Sequence, residues 1–267
     1  MKPDCRYALG IDIGGTTTKI AVVSEVGEVM ESRSIPSDLR QGADAFVSQI
    51  AANSFKTADV VGVSVAGFVN AERTRMIYNP NLAALENYPL KEALQSRLGK
   101  AVSLDADSNC ACFAEYMVGV GVGSRRFLCL VLGTGAGGGM IIDGQIVRLA
   151  HGGLGDMGHV IVQPEGPVCS GGCHGCLEAM LQADAKPLGR YVGIALATHA
   201  AMLFPDRVAI GGGRAEAGET LLKSTELAFR SAAGPFFQEG VSIHKARLGW
   251  QAPVVGAALQ ALGASGT

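Results

Sequence analysis

Short apolar runs broken by glycine organise this chain. Residues 7–13 form one run, which stops at Gly14-Gly15; residues 19–24 form a second, the polar stretch Glu25-Val26-Gly27-Glu28 turns the chain, and a third opens at Val29. Apolar runs of this length between turn signals read as buried strands. The order then repeats: a run at 127–132 breaks at Gly133-Thr134-Gly135, a second follows at 139–142, Asp143-Gly144 reads as a hairpin turn, and a third covers 145–149. The copies stand about half the chain apart, and this spacing predicts two lobes built from duplicated units.

Helix and strand patterns alternate elsewhere. Residues 43–55 place apolar side chains at 43, 46, 47, 50 and 51, the stripe of an amphipathic helix. Residues 60–66 read as a buried strand ending at Gly67, residues 90–98 as a helix stopped by Gly99, and residues 101–104 as a strand leading into Asp105-Ala106-Asp107. Helices are predicted over 108–118, 192–204, 218–232 and 254–262, with a strand over 208–210 that ends at Gly211-Gly212-Gly213.

Composition narrows the class. Of 267 residues, 48% are hydrophobic and 17% charged, so the chain buries a large interior and is not disordered. Net charge is −2 and no basic run occurs, which argues against a nucleic-acid partner. No run is long enough to span a bilayer, and the start Met-Lys-Pro-Asp-Cys-Arg lacks a signal-peptide pattern. Seven cysteines, three of them clustered, point to metal binding in a reducing cytoplasm rather than to a disulfide framework.

The candidate chemistry sits at the breaks. Asp12-Ile13-Gly14-Gly15-Thr16-Thr17 lies between two strands, where glycine lets backbone N–H groups turn toward an anion and threonine adds hydroxyl donors. Asp12 at the strand end suits Mg²⁺, held through water. Alone, such a segment is also what an ordinary hairpin turn looks like. The second loop, Gly133 to Gly139 with Thr134, Gly135 and Gly137 inside it, makes a pair able to grip a triphosphate. Gly133, Gly135 and Gly138 also satisfy G-x-G-x-x-G, but a strand follows instead of the helix that a dinucleotide site requires. Gly211, Gly212 and Gly213 end a strand in bare backbone, against which an adenine can pack; a plain strand-to-helix turn reads the same way.

Two further groups stand out. Asp107, between a strand and a helix, is either an N-cap or a carboxylate kept ionised by the helix dipole, able to accept a hydroxyl proton during phosphoryl transfer. His159, Cys169, Cys173, His174 and Cys176 offer imidazole and thiolate ligands suited to tetrahedral, structural Zn²⁺, although C-x3-C-x2-C is not a standard finger spacing.

Taken in order, the segments Asp12-Ile13-Gly14-Gly15-Thr16, Asn79-Pro80-Asn81-Leu82, Leu132 to Gly139, Gly155-Asp156-Met157-Gly158-His159, Gly175-Cys176-Leu177-Glu178 and Ile210 to Gly213 resemble the ROK family (repressor, open reading frame, kinase) of sugar kinases. The resemblance implies an α/β, two-lobed, ribonuclease-H-like (actin/hexokinase-like) duplicated fold with a cleft between lobes. Residues 1–116 would form the first lobe, joined by the terminal helix 252–267, and residues 117–251 the second, with the zinc loop and nucleotide site. It implies Asp107 as catalytic base, ATP with Mg²⁺ as donor, and a monosaccharide acceptor, modified at its primary 6-hydroxyl. Gly67, Asn81, Asp107, Asp156, His159 and Glu178 would contact the sugar, with His159 also a metal ligand beside Cys169, Cys173 and Cys176. It implies a homodimer. A non-catalytic sugar sensor or regulator is the alternative; regulators of the family carry an N-terminal helix-turn-helix, for which no room precedes the loop at residue 12.

Four departures from the family pattern are visible. Ala106 stands where the family has Asn before the catalytic Asp, and Asp156 where it has Glu. Gly171 takes the place of a zinc-segment cysteine, leaving Cys173 to replace it and His174 in reserve. The stretch between Glu178 and Gly211 is short, which trims the second lobe. Together they imply a sugar other than plain glucose.

Overall fold

The computed structural model of the protein describes residues 5–148 and 156–264. Leu149 of the expected strand 145–149, Gly155 of the Gly155–His159 motif, and residues 265–267 of the expected terminal helix lie outside them. In chain order the elements are β1 (Tyr7–Ile13), β2 (Thr17–Ser24), β3 (Val29–Pro36), α1 (Ala43–Ala52), β4 (Val60–Val65), β5 (Phe68–Val69), β6 (Met76–Tyr78), α2 (Leu90–Leu98), β7 (Ala101–Ala106) and α3 (Asp107–Val118). There follow β8 (Arg126–Leu132), β9 (Ala136–Ile142), β10 (Gln145–Ile146), α4 (Leu177–Gln182), α5 (Leu188–Leu203), β11 (Arg207–Gly211), α6 (Glu219–Ala232), α7 (Pro235–Gln238), β12 (Ser242–Lys245) and α8 (Ala252–Ala264). No helix among the described residues is long and apolar enough to cross a membrane.

These elements form two compact units. One holds the described residues up to Ala114, Arg148 and 251–264; the other holds 115–147 and 156–250. The first is built on a sheet in the order β3-β2-β1-β4-β7, the second on a sheet in the order β10-β9-β8-β11-β12. In each, the leading strand pairs antiparallel with its successor and parallel with a later strand. The duplication expected from the repeated apolar runs is thus a repeat of sheet topology.

The core of the first unit follows from its strand sequences. Leu9, Ile11 and Ile13 of β1, Val61, Val63 and Val65 of β4, and Phe46, Val47 and Ile50 of α1 are buried together. The last helix covers this sheet at short range: a Cβ added at Gly62 would lie 1.8 Å from the Ala257 carbonyl oxygen, so glycine in β4 is what lets α8 approach. Helix α2 ends as expected, with Gly99 at φ 64 donating its N–H to the Gln95 carbonyl.

Several expected boundaries move. Strand β9 begins at Ala136 rather than 139, because 136–139 continue the antiparallel ladder against Leu132 to Cys129. Gly137 is therefore a ladder residue, and the second glycine turn is shortened to Gly133–Gly135. Helix α1 stops at Ala52 rather than 55: the Asn53 amide and the Ser54 hydroxyl donate to the Gln49 and Ile50 carbonyls and close the last turn. Helix α3 opens at Asp107 itself, one residue before the expected start. β10 is two residues long. The Asp143-Gly144 turn has φ of 47 and 84, the positive pair that a two-residue hairpin requires. The β5–β6 hairpin, α4, α7 and β12 were not anticipated; each is short.

Candidate functional site

In the first unit the parallel strands β1, β4 and β7 all end at the same edge, where open α/β sheets bind ligands. Register puts Asp12, Ser64 and Asp105 side by side, one from each strand. Asp12 is 6% exposed; its Oδ1 accepts from Ser64 Oγ at 2.9 Å and its Oδ2 from Lys19 Nζ at 3.4 Å. Burial pushes the Asp12 carboxyl up, against Lys19 and the Ser64 hydroxyl, which pull it down. Two residues beyond Asp105, Asp107 starts α3 half-buried, with Oδ1 accepting the Ser108 N–H at 2.7 Å. Cys110 lies near all three acids: its thiol is raised first by burial, then by the charges of Asp105, Asp12 and Asp107.

The first glycine turn is arranged around this edge. Gly14 donates its N–H to the Thr17 carbonyl at 3.2 Å, which engages that donor within the turn itself; Gly15, Thr16 and Thr17 are exposed. Gly15 rests against Asn81, whose Cβ would be 3.0 Å from a Cβ at 15. Gly67, at φ 101, backs onto Tyr78 and Asn79 of the same hairpin region. Among the residues expected from sequence, Asp12, Gly14, Gly15 and Asn81 are thereby gathered in one unit with Gly67 and Asp107.

The second unit gathers the rest. Gly133 donates its N–H to the Gly135 carbonyl at 2.8 Å, closing its turn as Gly14 does. Gly133, Thr134, Gln182, Gly213 and Arg214 line an open pocket of ≈ 550 Å³. The shortened glycine turn and the glycine end of β11 thus meet at one pocket. Gly211 is the last ladder residue of β11, and Gly212, at φ 85, turns the chain out of the strand. The same 133–136 turn reaches Glu178: Ala136 N–H donates to Glu178 Oε2 at 3.1 Å, and a Cβ at Gly135 would sit 2.4 Å from that oxygen.

His159 links the two sets of expected ligands. Its Nε2 is 3.3 Å from Asp156 Oδ2 and 3.9 Å from Glu178 Oε1. Its Nδ1 is 3.6 Å from both Cys169 Sγ and Cys176 Sγ. Asp156 also caps the Met157–His159 turn, accepting the Gly158 N–H at 3.1 Å. Burial raises the Asp156 carboxyl, His159 and the Gly158 N–H lower it, and Glu178 adds a smaller rise.

The donor set fits zinc. His159, Cys169 and Cys176 bring three ligand atoms within 4.8 Å of one another. Zn–S and Zn–N bonds of about 2.3 and 2.0 Å on a tetrahedron put N and S about 3.5 Å apart, which matches the separations here. Burial first, then Cys169, raises the Cys173 thiol, so Cys173 stands beside the set without being one of the three. A Cβ at Gly171 would lie 3.1 Å from His159 Cε1, so that position faces the ligands too. His174 is exposed, and its backbone forms a bridge with Val168. A metal held at Nδ1 would leave Nε2–H to donate to the Asp156 carboxylate, the usual orientation of a ligating histidine.

Sequence reading missed Ser64, Lys19, Gln182 and Arg214. A serine inside the apolar run of β4 and an arginine directly after three glycines were the available signals. Gln182, on the short helix α4, had none; its amide donates to Ser170 Oγ at 3.0 Å and to Glu178 Oε1 at 3.3 Å.

The family model described as the ROK family matches residues 8–186. A glucokinase of Halalkalibacterium halodurans is 29% identical, over 94% of this chain and 93% of the relative. Among solved structures, a ROK hexokinase from Thermus thermophilus is similar with a TM-score of 0.83 at 26% identity, covering 98% of this chain and 100% of that one. A ROK family glucokinase from Streptomyces griseus, in complex with glucose and AMPPNP, gives a TM-score of 0.81 at 26% identity, covering 96% and 99%.

Proposed function

The chain belongs to the ROK family, and from that premise we propose that it is a sugar kinase, moving the terminal phosphoryl group of ATP to a monosaccharide hydroxyl. The observation that carries the reading is the 133–136 turn, which lines the pocket through Gly133 and Thr134 and donates the Ala136 N–H to Glu178.

In this reading the turns at Gly14–Thr17 and Gly133–Gly135 supply N–H and hydroxyl donors to the phosphates, and the glycine end at Gly211–Gly213 receives the adenine. Gly67, Asn81, Asp156, His159 and Glu178 hold sugar hydroxyls. Asp107 accepts the proton of the attacking hydroxyl. The sugar oxygen forms a bond to the γ-phosphorus as the bond from that phosphorus to the β,γ-bridging oxygen breaks, releasing ADP. The base mainly aims the nucleophile, and the helix N-terminus keeps its carboxylate charged. Asp12, a hard oxygen donor, would hold Mg²⁺ through water, and the cation, when bound, offsets the charge on the β- and γ-phosphates. Zinc on His159, Cys169, Cys176 and Cys173 would be structural, fixing the loop that carries Glu178 and orienting the His159 ring. The ATP donor and the reduced thiols suit the cytoplasm, and the family resemblance suggests a homodimer.

Ala106 and Asp156 remove or shorten two polar side chains that the family directs at the sugar, so the preferred acceptor is a sugar other than plain glucose. The test is ADP release with ATP, Mg²⁺ and a panel of hexoses and N-acetylated amino sugars, with Asp107→Asn as control. Sugar-dependent release that the variant abolishes is expected. Sugar binding with no release would favour a sensor instead, and glucose as clearly the best acceptor would overturn the specificity reading.

A further inference from the structure

We propose that Arg148 is a positioning residue for the catalytic base, acting through the buried carboxylate of Asp105; this rests on the reading of Asp107 as that base. Asp105 precedes Asp107 by two residues and its side chain is 3% exposed. An isolated carboxylate that deep is strongly unfavourable unless it is paired and hydrogen-bonded. Here every oxygen is engaged. Oδ1 accepts the Ala106 N–H at 2.8 Å and the Asn109 side-chain amide at 2.9 Å. Oδ2 accepts from Arg148 Nη2.

The two Oδ1 partners bracket Asp107, one residue before it and two after. Asp105 therefore ties the end of β7 to the first turn of α3, and the backbone that aims Asp107 runs between the tied points. Ala106 has no polar side chain to share in this. Arg148 supplies the positive charge that pairs with the buried Asp105 carboxylate. It is itself anchored, since the same Nη2 donates to Gln260 Oε1 at 3.3 Å, and Gln260 Nε2 in turn donates to Cys110 Sγ at 3.5 Å on α3. Arg148 Nε has no hydrogen-bond partner among the described residues, so the guanidinium is held at its Nη2 end. Register sets Asp105 beside Ser64, and Ser64 beside Asp12. Lys19 and Ser64 serve Asp12, and Arg148 serves Asp105, so each of the two acids on this row has its own partner.

The experiment compares Arg148→Met, Arg148→Lys, Asp105→Asn and the double variant in the full chain. A misplacement near 1 Å costs roughly 10²-fold in rate. Arg148→Met is therefore expected to lower kcat by about 10²-fold while the KM values for ATP and sugar stay within about threefold. Arg148→Lys should recover part of the loss, and the double variant should be no worse than Arg148→Met, because the pair acts as a unit. A purely structural role would lower Tm and the active fraction but leave kcat per active site unchanged, and that result overturns the proposal, as would additive losses. If Arg148→Met does not fold, the same kcat-against-KM split is read from Arg148→Lys. A second readout needs no turnover: amide exchange at Ser108 and Asn109 should quicken at least about tenfold in the arginine variant as the helix start loosens. Unchanged exchange sinks the proposal even if the wild type phosphorylates nothing, whereas a silent wild type with quickened exchange counts against the kinase reading alone.

Discussion

His159 has two thiols 3.6 Å from Nδ1 and the Asp156 carboxylate 3.3 Å from Nε2, and in the proposed reading one edge of the ring serves the metal and the other the sugar. The two faces separate by mutation. Asp156→Asn should raise the sugar KM about tenfold, the cost of one lost charged partner in a half-buried site, and leave zinc content unchanged. His159→Gln should raise the sugar KM and lower the zinc content. Kinetics alongside metal analysis reads the difference. On α5, His199 is 6% exposed, its Nε2 has no hydrogen-bond partner among the described residues, and burial lowers its pKa despite a hydrogen bond to the Met157 backbone. A histidine neutral in the fold binds fewer protons than in the unfolded chain once pH falls below about 6.5. Stability is therefore full above that pH and declines as pH drops toward the lowered folded value. His199→Gln should flatten the fall of Tm between pH 6.5 and 5, measured by melts across that range; an unchanged slope would show that other groups set it.

At the scale of elements, packing distance decides more than propensity. Helix α8 lies so close to β4 that Gly62→Ala places a methyl 1.8 Å from the Ala257 carbonyl oxygen. Overpacking of this kind costs about 1–3 kcal/mol or more, so the urea midpoint should fall markedly; a midpoint within error of wild type would mean that α8 yields. In the proposed reading the zinc loop is the opposite case, with its order expected from ligands more than from apolar burial. Chelation should lower Tm, and Cys173→Ser should lose more zinc than His174→Ala, because Cys173 packs against the cluster and His174 is exposed. Equal loss from both variants would leave the fourth ligand elsewhere. The expected elements that matched best, β1, α2 and α6, are those where an apolar run or stripe ends at a glycine or a turn. The unforeseen ones, the β5–β6 hairpin, α4, α7 and β12, have two to six residues, too few to show a period.

For the whole molecule, binding is the lever on stability. A non-hydrolysable ATP analogue at 100 times its Kd should add about 2.7 kcal/mol, read as a shift in Tm, and no shift would argue against a nucleotide site. A homodimer would sediment near twice 27.5 kDa. Sequence alone determined the duplicated plan, because an apolar strand broken by glycine and followed by a returning strand is a local signal, and two copies half a chain apart repeat it. It also determined the chemistry-bearing residue types, since aspartate at a strand end and cysteines near a histidine are legible without coordinates. Only the tertiary structure decided which glycines turn and which continue a ladder. Gly137 belongs to β9 because its partner Val131 lies across the sheet, a fact absent from its neighbours in sequence. The same holds for Arg148 on Asp105 and on Gln260. The pairings of Arg148, which join residues far apart in the chain, cost chain entropy that only the completed fold offsets, so no short window of sequence records them.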